Sequence, residues 1–224
     1  KESDYLLYEE PMGTVSGVQT QIPVLLSEYQ FQSKEDVDAY LELMKTTPDY
    51  FNSLIAFEQE KAQKGLFMAS YTADTVIEQC QAFIDMGDSN YLISTFVDRI
   101  QKLTDLSESE KSDYIQKNAY MLKTYVLPAY QQLIKTVVEL KDSGKNEEGL
   151  CYLPNGKEYY ELTVQASTGS ARTVPQLQKL TKNQMKDDLA AMKAVIGLTA
   201  EQAKETAVME STDPKEILNS LSLD

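Results

Sequence analysis

The sequence predicts an all-α fold, an irregular multi-helix bundle in which one long, kinked helix spans about residues 107–143. Apolar residues recur at spacings of three and four along most of the chain, which is the periodicity of an amphipathic helix. Helix-capping sequences stand where several of these periodic segments begin. Alternation of apolar and polar residues, which marks a half-buried strand, nowhere extends beyond about four residues. We therefore expect helices that pack ridges into grooves rather than a sheet or a coiled coil.

The first part of the chain combines an acidic, tyrosine-bearing segment with a loop at residues 11–17. This loop contains a proline and two glycines, which are typical turn formers. Because glycine tolerates positive φ, such a loop could approach a ligand closely, although a plain surface connection is the commoner role. A short apolar helix is predicted to follow at Pro23–Phe31.

Two capped helices come next. Ser33 is the predicted cap of the first, with Asp36 at its third position. Thr47 and Pro48 predict the start of the second, with threonine as the cap and proline at the first helical position. Gly65 is its predicted end.

Glu58 lies on the apolar face of this second helix, where a charged side chain is unexpected. A carboxylate in that place could be catalytic or could bind a ligand. The commoner arrangement is a residue at the boundary of the core that pairs with a lysine.

Two more helices are predicted before the long one, at residues 72–86 and from a cap at Ser89 through Leu103. Cys80 falls on the apolar face of the first, which favours a buried free thiol over a disulfide. Cys80 and Cys151 are far apart in sequence and fit no metal-binding spacing.

The long helix begins with a capping box formed by Ser107 and Glu110. Its last turn carries Lys141, which suits the negative end of a helix, and Gly144 is a predicted left-handed stop. Pro128 interrupts the pattern, so we expect a kink or break near Leu127. That irregularity could act as a hinge or could simply bend the helix around a core.

Turn-forming residues at 142–156 mark a possible break between two subdomains of an otherwise single helical domain or fragment, residues 1–224. A short helix is predicted at Lys157–Ser167. The turn at 168–171 resembles a small anion cradle, but it lacks a P-loop lysine and spacing, so a plain turn is the favoured interpretation.

A long amphipathic helix should run from Thr173 through Ile196, with Met185 and Met192 as core fillers. Two last helices are predicted at 199–209 and from Asp213 to the end. Apolar residues of the last helix would need to pack on this domain or on a region that is missing; they are Ile217, Leu218 and Leu221.

Charge and composition exclude several classes of function. The chain has 21 basic and 35 acidic residues, a net charge of −14, which argues against nucleic-acid binding and against docking on anionic membranes. No segment is long and apolar enough to cross a membrane, and no signal peptide is visible. Because the sequence opens at Lys1 rather than at methionine, we expect a processed or excised chain.

Histidine is absent from the whole sequence. This excludes nucleophiles activated by a histidine base and the common zinc sites within the chain. We therefore assign no catalytic, cofactor-binding or metal-binding residue from the sequence.

Several short motifs in a fixed order resemble a bacterial family catalogued as domain of unknown function 885. The most distinctive runs from Phe57 through Ala62 into Gly65–Met68. The others are Pro11–Gly13, Gln21–Pro23, Glu28–Phe31, Asp36–Leu41, Pro48–Phe51 and Gly156–Tyr160. The resemblance covers about Tyr8 to Gly197, and each motif alone is weakly specific.

The resemblance implies a largely helical protein similar to zinc metallopeptidases, many of them exported or lipid-anchored. Members carry an HExxH-type motif, usually HEGYPGH, downstream of the region matched here, in which histidines hold zinc and a glutamate activates water. This chain has no histidine, so no catalytic residue of the family can be placed on it. The resemblance therefore implies a central helical portion of a longer protein, or a truncated relative without the site.

Three hypotheses for function follow. The first is a non-catalytic helical portion of a zinc-dependent peptidase-like protein, forming part of a cleft for a peptide substrate and contacting a missing C-terminal catalytic region. The second is a stand-alone helical module that binds a protein or peptide. The third is a histidine-free enzyme with two catalytic carboxylates, such as Glu9–Glu10 or Asp187–Asp188, but sequence neighbours on a helix point to different sides.

Overall fold

The computed structural model describes residues 2–145 and 148–196, and this part of the chain contains α-helices and no strand. The all-α prediction is confirmed. The helices predicted at 199–209 and from Asp213 onward lie outside the described residues. The nine α-helices described are α1 Val18–Glu28, α2 Lys34–Lys45, α3 Thr47–Gln63, α4 Ser70–Asp85, α5 Tyr91–Ile100, α6 Glu108–Met121, α7 Leu127–Leu140, α8 Gly156–Thr168 and α9 Val174–Ile196. Short 3₁₀ helices occur at Glu2–Tyr8, Gly87–Ser89 and Leu150–Tyr152.

The chain divides into two compact units, residues 1–160 and 161–224. In the first unit, α7 packs on both α3 and α4, and α5 and α6 pack on each other. Tyr130 of α7 is fully buried, and its ring lies 4.9 Å from that of Phe51 and 4.6 Å from that of Phe83. Cys80 is buried beside this centre as a free thiol, as predicted. A single apolar core thus joins residues from α1 to α7.

Helix α1 begins five residues earlier than predicted and contains Pro23 in its interior. Proline has no N–H, so the carbonyl of Gln19, four residues before it, loses its usual helical partner. The buried hydroxyl of Tyr130 donates to that carbonyl at 2.6 Å. A contact from α7 therefore makes an internal proline acceptable, which a local pattern could not show.

The predicted caps are partly confirmed. Ser33 and Ser107 each form a complete capping box, with Asp36 and Glu110 respectively. Helix α3 is instead preceded by Thr46, one residue before the predicted cap. Helix α5 is capped by Asn90 rather than by Ser89, because the Asn90 side chain both accepts from Leu92 N–H and donates to the carbonyl of Phe83. It ends at Ile100, short of Leu103.

The long helix is interrupted where Pro128 led us to expect it. Helices α6 and α7 are joined by a π-helical turn at Leu122–Val126, whose wider hydrogen bonding places the N–H of Leu127 on the carbonyl of Leu122. Pro128 follows directly, inside the first turn of α7, where its missing N–H has the smallest effect. The irregularity takes the form of a π turn.

Gly144 is not the left-handed stop that the sequence suggested. Helix α7 ends at Leu140, and the left-handed residue beyond it is Asp142, with φ of 70°. Gly144 instead packs against the chain after α3, where a Cβ would lie 2.3 Å from the carbonyl oxygen of Phe67. Its lack of a side chain serves close packing.

The described residues of the second unit, 161–196, include α9. Met185 is 47% exposed and Met192 is 50% exposed, so their prediction as core fillers is wrong. Among these residues no apolar cluster covers that face of α9, and amphipathic periodicity alone cannot supply a partner surface. Across the described chain, every helix is too short or too polar to span a bilayer.

Candidate functional site

A buried lysine on α3 is the centre of the candidate site. The side chain of Lys61 is fully buried, and its Nζ donates to the carbonyl oxygen of Glu9 at 2.7 Å. The same ammonium lies 3.1 Å from a carboxylate oxygen of Glu10 and 3.7 Å from one of Glu58. A buried charge is tolerated only when it is paired. Because two of its partners, Glu9 and Glu10, belong to the N-terminal segment, Lys61 joins that segment to α3.

Aromatic contacts hold that N-terminal segment in place. The hydroxyl of Tyr8 donates to the carbonyl of Pro154. The rings of Tyr5, Tyr8 and Tyr159 contact one another, with Tyr8 and Tyr159 4.9 Å apart. The hydroxyl of Tyr159 also reaches a carboxylate oxygen of Glu9 at 3.5 Å. Glu9 and Glu10 are therefore presented by a segment fixed on both sides.

Glu58 lies beneath this segment, one helical turn before Lys61. Its side chain is 1% exposed, and neither carboxylate oxygen has a hydrogen-bond partner. Burial raises the pKa of Glu58 to about 7, because the attraction of Lys61 only partly offsets the loss of hydration. The predicted pairing with a lysine is confirmed. The predicted boundary position is wrong, because the N-terminal segment covers this part of α3.

Glu10 completes the cluster at its outer side. Its side chain is 43% exposed, so it connects the buried lysine with solvent. Burial raises the pKa of Glu10 as well, and Lys61 again opposes that effect. Two carboxylates therefore share one ammonium, and a carboxyl group that titrates near neutrality is a feature of many functional sites.

An open groove of about 380 Å³ borders the cluster. Tyr50 lines the groove and is 49% exposed. Phe57 has its ring centre 5.8 Å from Lys61 Nζ, so it links the groove with the cation. The lining is mostly apolar and includes two acidic residues; it consists of Glu9, Glu10, Pro11, Tyr50, Ser53, Leu54 and Phe57.

The glycine-containing loop at 11–17 contributes only its first residue, Pro11, to the groove. The remainder is tied to the fold by two glutamines. The amide of Gln19 donates to the carbonyl of Gly13 at 2.7 Å and to Gln79 at 2.8 Å, and Gln79 donates to the carbonyl of Thr14. These contacts support the interpretation as a structural connection.

Of the two carboxylate pairs considered from the sequence, Glu9–Glu10 belongs to this cluster and Asp187–Asp188 belongs to the second unit. Glu10 pairs across the fold with Lys61, whereas Glu9 contributes its backbone carbonyl. Asp187 and Asp188 are exposed on α9, where Asp188 accepts from Gln184 at 2.7 Å. The turn at 168–171 carries Gly169 with φ of 63°. Cys151 is exposed and free.

Sequence reasoning found Glu58 and expected a lysine partner, but it did not identify Lys61 as that lysine or the N-terminal segment as its cover. The spacing of Glu58 and Lys61 on one helix was a usable signal for an ion pair. The contact with the N-terminal segment gave no such signal, because Glu9 lies 52 residues from Lys61 in sequence.

The described residues also bear on metal binding. Within 2–145 and 148–196, no group of three histidine, cysteine, aspartate or glutamate side chains is arranged to hold a metal ion. The sequence has no histidine to supply the usual zinc ligand. These residues do not fit a zinc site.

A family model described as "Bacterial protein of unknown function (DUF885)" matches residues 2–224. No curated protein matches the chain. A crystal structure described as "the putative lipoprotein from Colwellia psychrerythraea" is similar in fold, with a TM-score of 0.75 and 17% sequence identity. The match covers 92% of this chain and 36% of that chain, so this chain spans about a third of the length of that relative.

Proposed function

The chain belongs to the bacterial family of unknown function DUF885, and on that premise we propose that it is a non-catalytic helical portion of a larger zinc-dependent hydrolase of the peptidase type. In this proposal it supplies one wall of the substrate cleft. The observation that carries the proposal is the greater length of the solved relative, because the match with this chain covers only 36% of it.

The groove on α3 supports the role of a cleft wall. It is concave, mostly apolar and bordered by a few polar groups, which is the usual character of a site that holds a small molecule or part of a peptide. Tyr50 adds an exposed aromatic surface of the kind enriched where proteins bind partners.

Zinc would have to be held outside the described residues, since none of their side chains forms a suitable cluster. We therefore assign to this chain only binding and orientation of the substrate. Its described residues polarise no bond and activate no water in this proposal.

We further propose a location at the cell envelope. This rests on the description of the solved relative as a lipoprotein and on the family resemblance. A lipid anchor on the larger protein would be compatible with a net charge of −14 on this portion, since the anchor and not the surface charge would hold it at the membrane.

A second candidate is a stand-alone helical module that binds peptides. The observation that favours it is that every residue lining the groove belongs to the compact unit of residues 1–160. Such a module would need no further domain to complete its site.

The test uses the natural-length protein purified with zinc from its source, and compares Tyr50→Ala with Tyr71→Ala. Tyr71 is a matched control because it is 63% exposed on α4 and does not line the groove. We expect zinc-dependent hydrolysis of peptides, with KM raised roughly fivefold by Tyr50→Ala and kcat within about twofold. Equal behaviour of the two variants, or no hydrolysis, would contradict the proposal. A natural polypeptide near 25.3 kDa that binds peptides without zinc would favour the stand-alone module.

A further inference from the structure

The groove beside Lys61 has an unbalanced charge. The carboxyl groups of Glu9 and Glu10 line the groove, and that of Glu58 lies behind it beside the ammonium of Lys61. Glu58 is buried behind the groove, where it lies 3.7 Å from Lys61 and has a pKa raised by burial to about 7, so it carries only part of a charge near neutral pH. Glu9 and Glu10 line the groove against the one ammonium of Lys61, so among the described residues the groove keeps an excess of negative charge.

The same groove also presents rings and aliphatic groups. Pro11, Leu54 and Phe57 offer apolar surface, and Tyr50 offers a half-exposed ring. Aromatic faces attract cations as well as apolar groups. At about 380 Å³ the space is at the small end of ligand sites, enough for one or two side chains rather than for a folded partner.

We propose that this groove binds a peptide segment in which a lysine or arginine side chain stands next to a large apolar side chain. This deepens the proposed function by naming its substrate class, and it rests on that function. The cationic group faces the carboxylates of Glu9 and Glu10, and the apolar neighbour lies against Leu54 and Phe57. Lys61 is a positioning residue, because it holds the Glu9 backbone and the Glu10 carboxylate in place.

Charge complementarity distinguishes this ligand from the alternatives. An acidic peptide would bring a like charge to Glu9 and Glu10, which is destabilising. A wholly apolar peptide would remove water from the carboxylates of Glu9 and Glu10 without supplying a cation beyond Lys61, which already pairs with Glu10. A basic and apolar pair of side chains satisfies both parts of the groove.

The test measures binding by the full 224-residue chain to three short peptides that share a leucine and are blocked at both ends. Their variable residue is lysine, norleucine or glutamate, so that norleucine keeps the hydrocarbon shape without the charge. We expect the lysine peptide to bind at least about tenfold more tightly than the norleucine peptide, as a charge-assisted contact would give. The glutamate peptide should bind most weakly.

Single substitutions identify the carboxylate that produces the preference for the lysine peptide. Glu10→Gln should reduce the preference for lysine over norleucine to about threefold or less. Glu9→Gln should reduce it while leaving the ion pair of Glu10 with Lys61 intact. Glu139→Gln is the matched control, because Glu139 is exposed on α7 and does not line the groove, and it should leave the preference unchanged. Circular dichroism and a melting curve confirm that each variant is folded.

Equal affinity for the lysine and norleucine peptides would overturn the inference, as would a preference unaffected by both groove variants. This outcome is separable from failure of the proposed function. Absence of zinc-dependent hydrolysis by the natural-length protein would refute the proposed function as part of a hydrolase. The binding preference is measured without zinc and without turnover, so it does not depend on that result.

Discussion

Two buried cations in the first unit have opposite surroundings. Arg99, on α5, donates to the carbonyls of Thr95, Leu26 and Tyr29. Its guanidinium also lies over two rings, 4.6 Å from the centre of Phe31 and 5.1 Å from that of Tyr40. Lys61, on α3, instead faces the carboxylates of Glu10 and Glu58.

The cluster around Arg99 stabilises the fold at any pH in the physiological range, whereas the charge of the cluster around Lys61 changes with pH. The partners of Arg99 are neutral carbonyls and rings, so none of them changes charge between pH 5 and pH 8. Leu26 and Tyr29 stand at the end of α1, where carbonyls have no helical partner, and Arg99 satisfies them. The partners of Lys61 are carboxylates in excess, so that cluster can gain or lose a proton and can attract another cation.

The largest effect should come from Arg99→Met, which removes these hydrogen bonds and both ring contacts. Buried carbonyls left without a donor destabilise the fold, so we expect a loss of about 3–5 kcal/mol in the free energy of unfolding. Urea unfolding at pH 5 and at pH 8 should give the same loss. Arg99→Lys is the control, since it keeps the charge but not the forked geometry, and a loss that changed with pH would break the comparison.

Lys61→Met should have a somewhat smaller effect that does depend on pH. At pH 8 the variant leaves carboxylates without their cation, and we expect a loss of about 2–4 kcal/mol. Near pH 5 Glu58 can take up a proton, so the loss should fall to about 1 kcal/mol. The same unfolding experiment checks this, and the double variant with Glu58→Gln should show little of the pH dependence. An equal loss at both pH values would show that the two cations are alike.

The wild-type chain should itself become less stable as pH rises from 5 to 8. Glu58 has its pKa raised from 4.5 to about 7 in the folded state, so its stabilising contribution is complete below pH 4.5 and disappears as pH rises through 7. A raised pKa of this size corresponds to roughly 2–3 kcal/mol between pH 5 and pH 8. Glu10, whose pKa burial also raises, acts in the same direction.

Glu58→Gln is the variant that isolates this effect. It should flatten the dependence of unfolding free energy on pH in that window. Asp36 and Glu110 have pKa values lowered by hydrogen bonds from the backbone, at Gln32 and Ser107 respectively, so they remain ionised throughout. A slope that persists in Glu58→Gln would assign it to another group.

The smallest loss of stability should come from Tyr130→Phe, because it removes one hydrogen bond between neutral groups. Tyr130→Phe removes the hydroxyl that donates to the carbonyl of Gln19, which Pro23 leaves without a helical partner. We expect a loss of about 1–2 kcal/mol, independent of pH. Tyr114→Phe is the control, because the hydroxyl of Tyr114 donates to the exposed Asp38, and its loss in thermal unfolding should be smaller.

The sequence by itself determined the helical class, most helix positions and the family. The capping boxes at Ser33 and Ser107 were readable because they depend on residues three positions apart. The interruption near Pro128 was readable because proline acts on its own turn. The ordered short motifs also indicated the DUF885 family, which the family model confirms over residues 2–224.

Tertiary structure alone decided which of the polar residues form a site. Glu58 was visible as an odd member of an apolar face, but its burial depends on a segment that arrives from the start of the chain. Pro23 is accepted inside α1 only because Tyr130 reaches its free carbonyl from α7. Local patterns report on neighbours within about one helical turn. Burial, charge balance and the groove are set by residues that meet only when the helices pack.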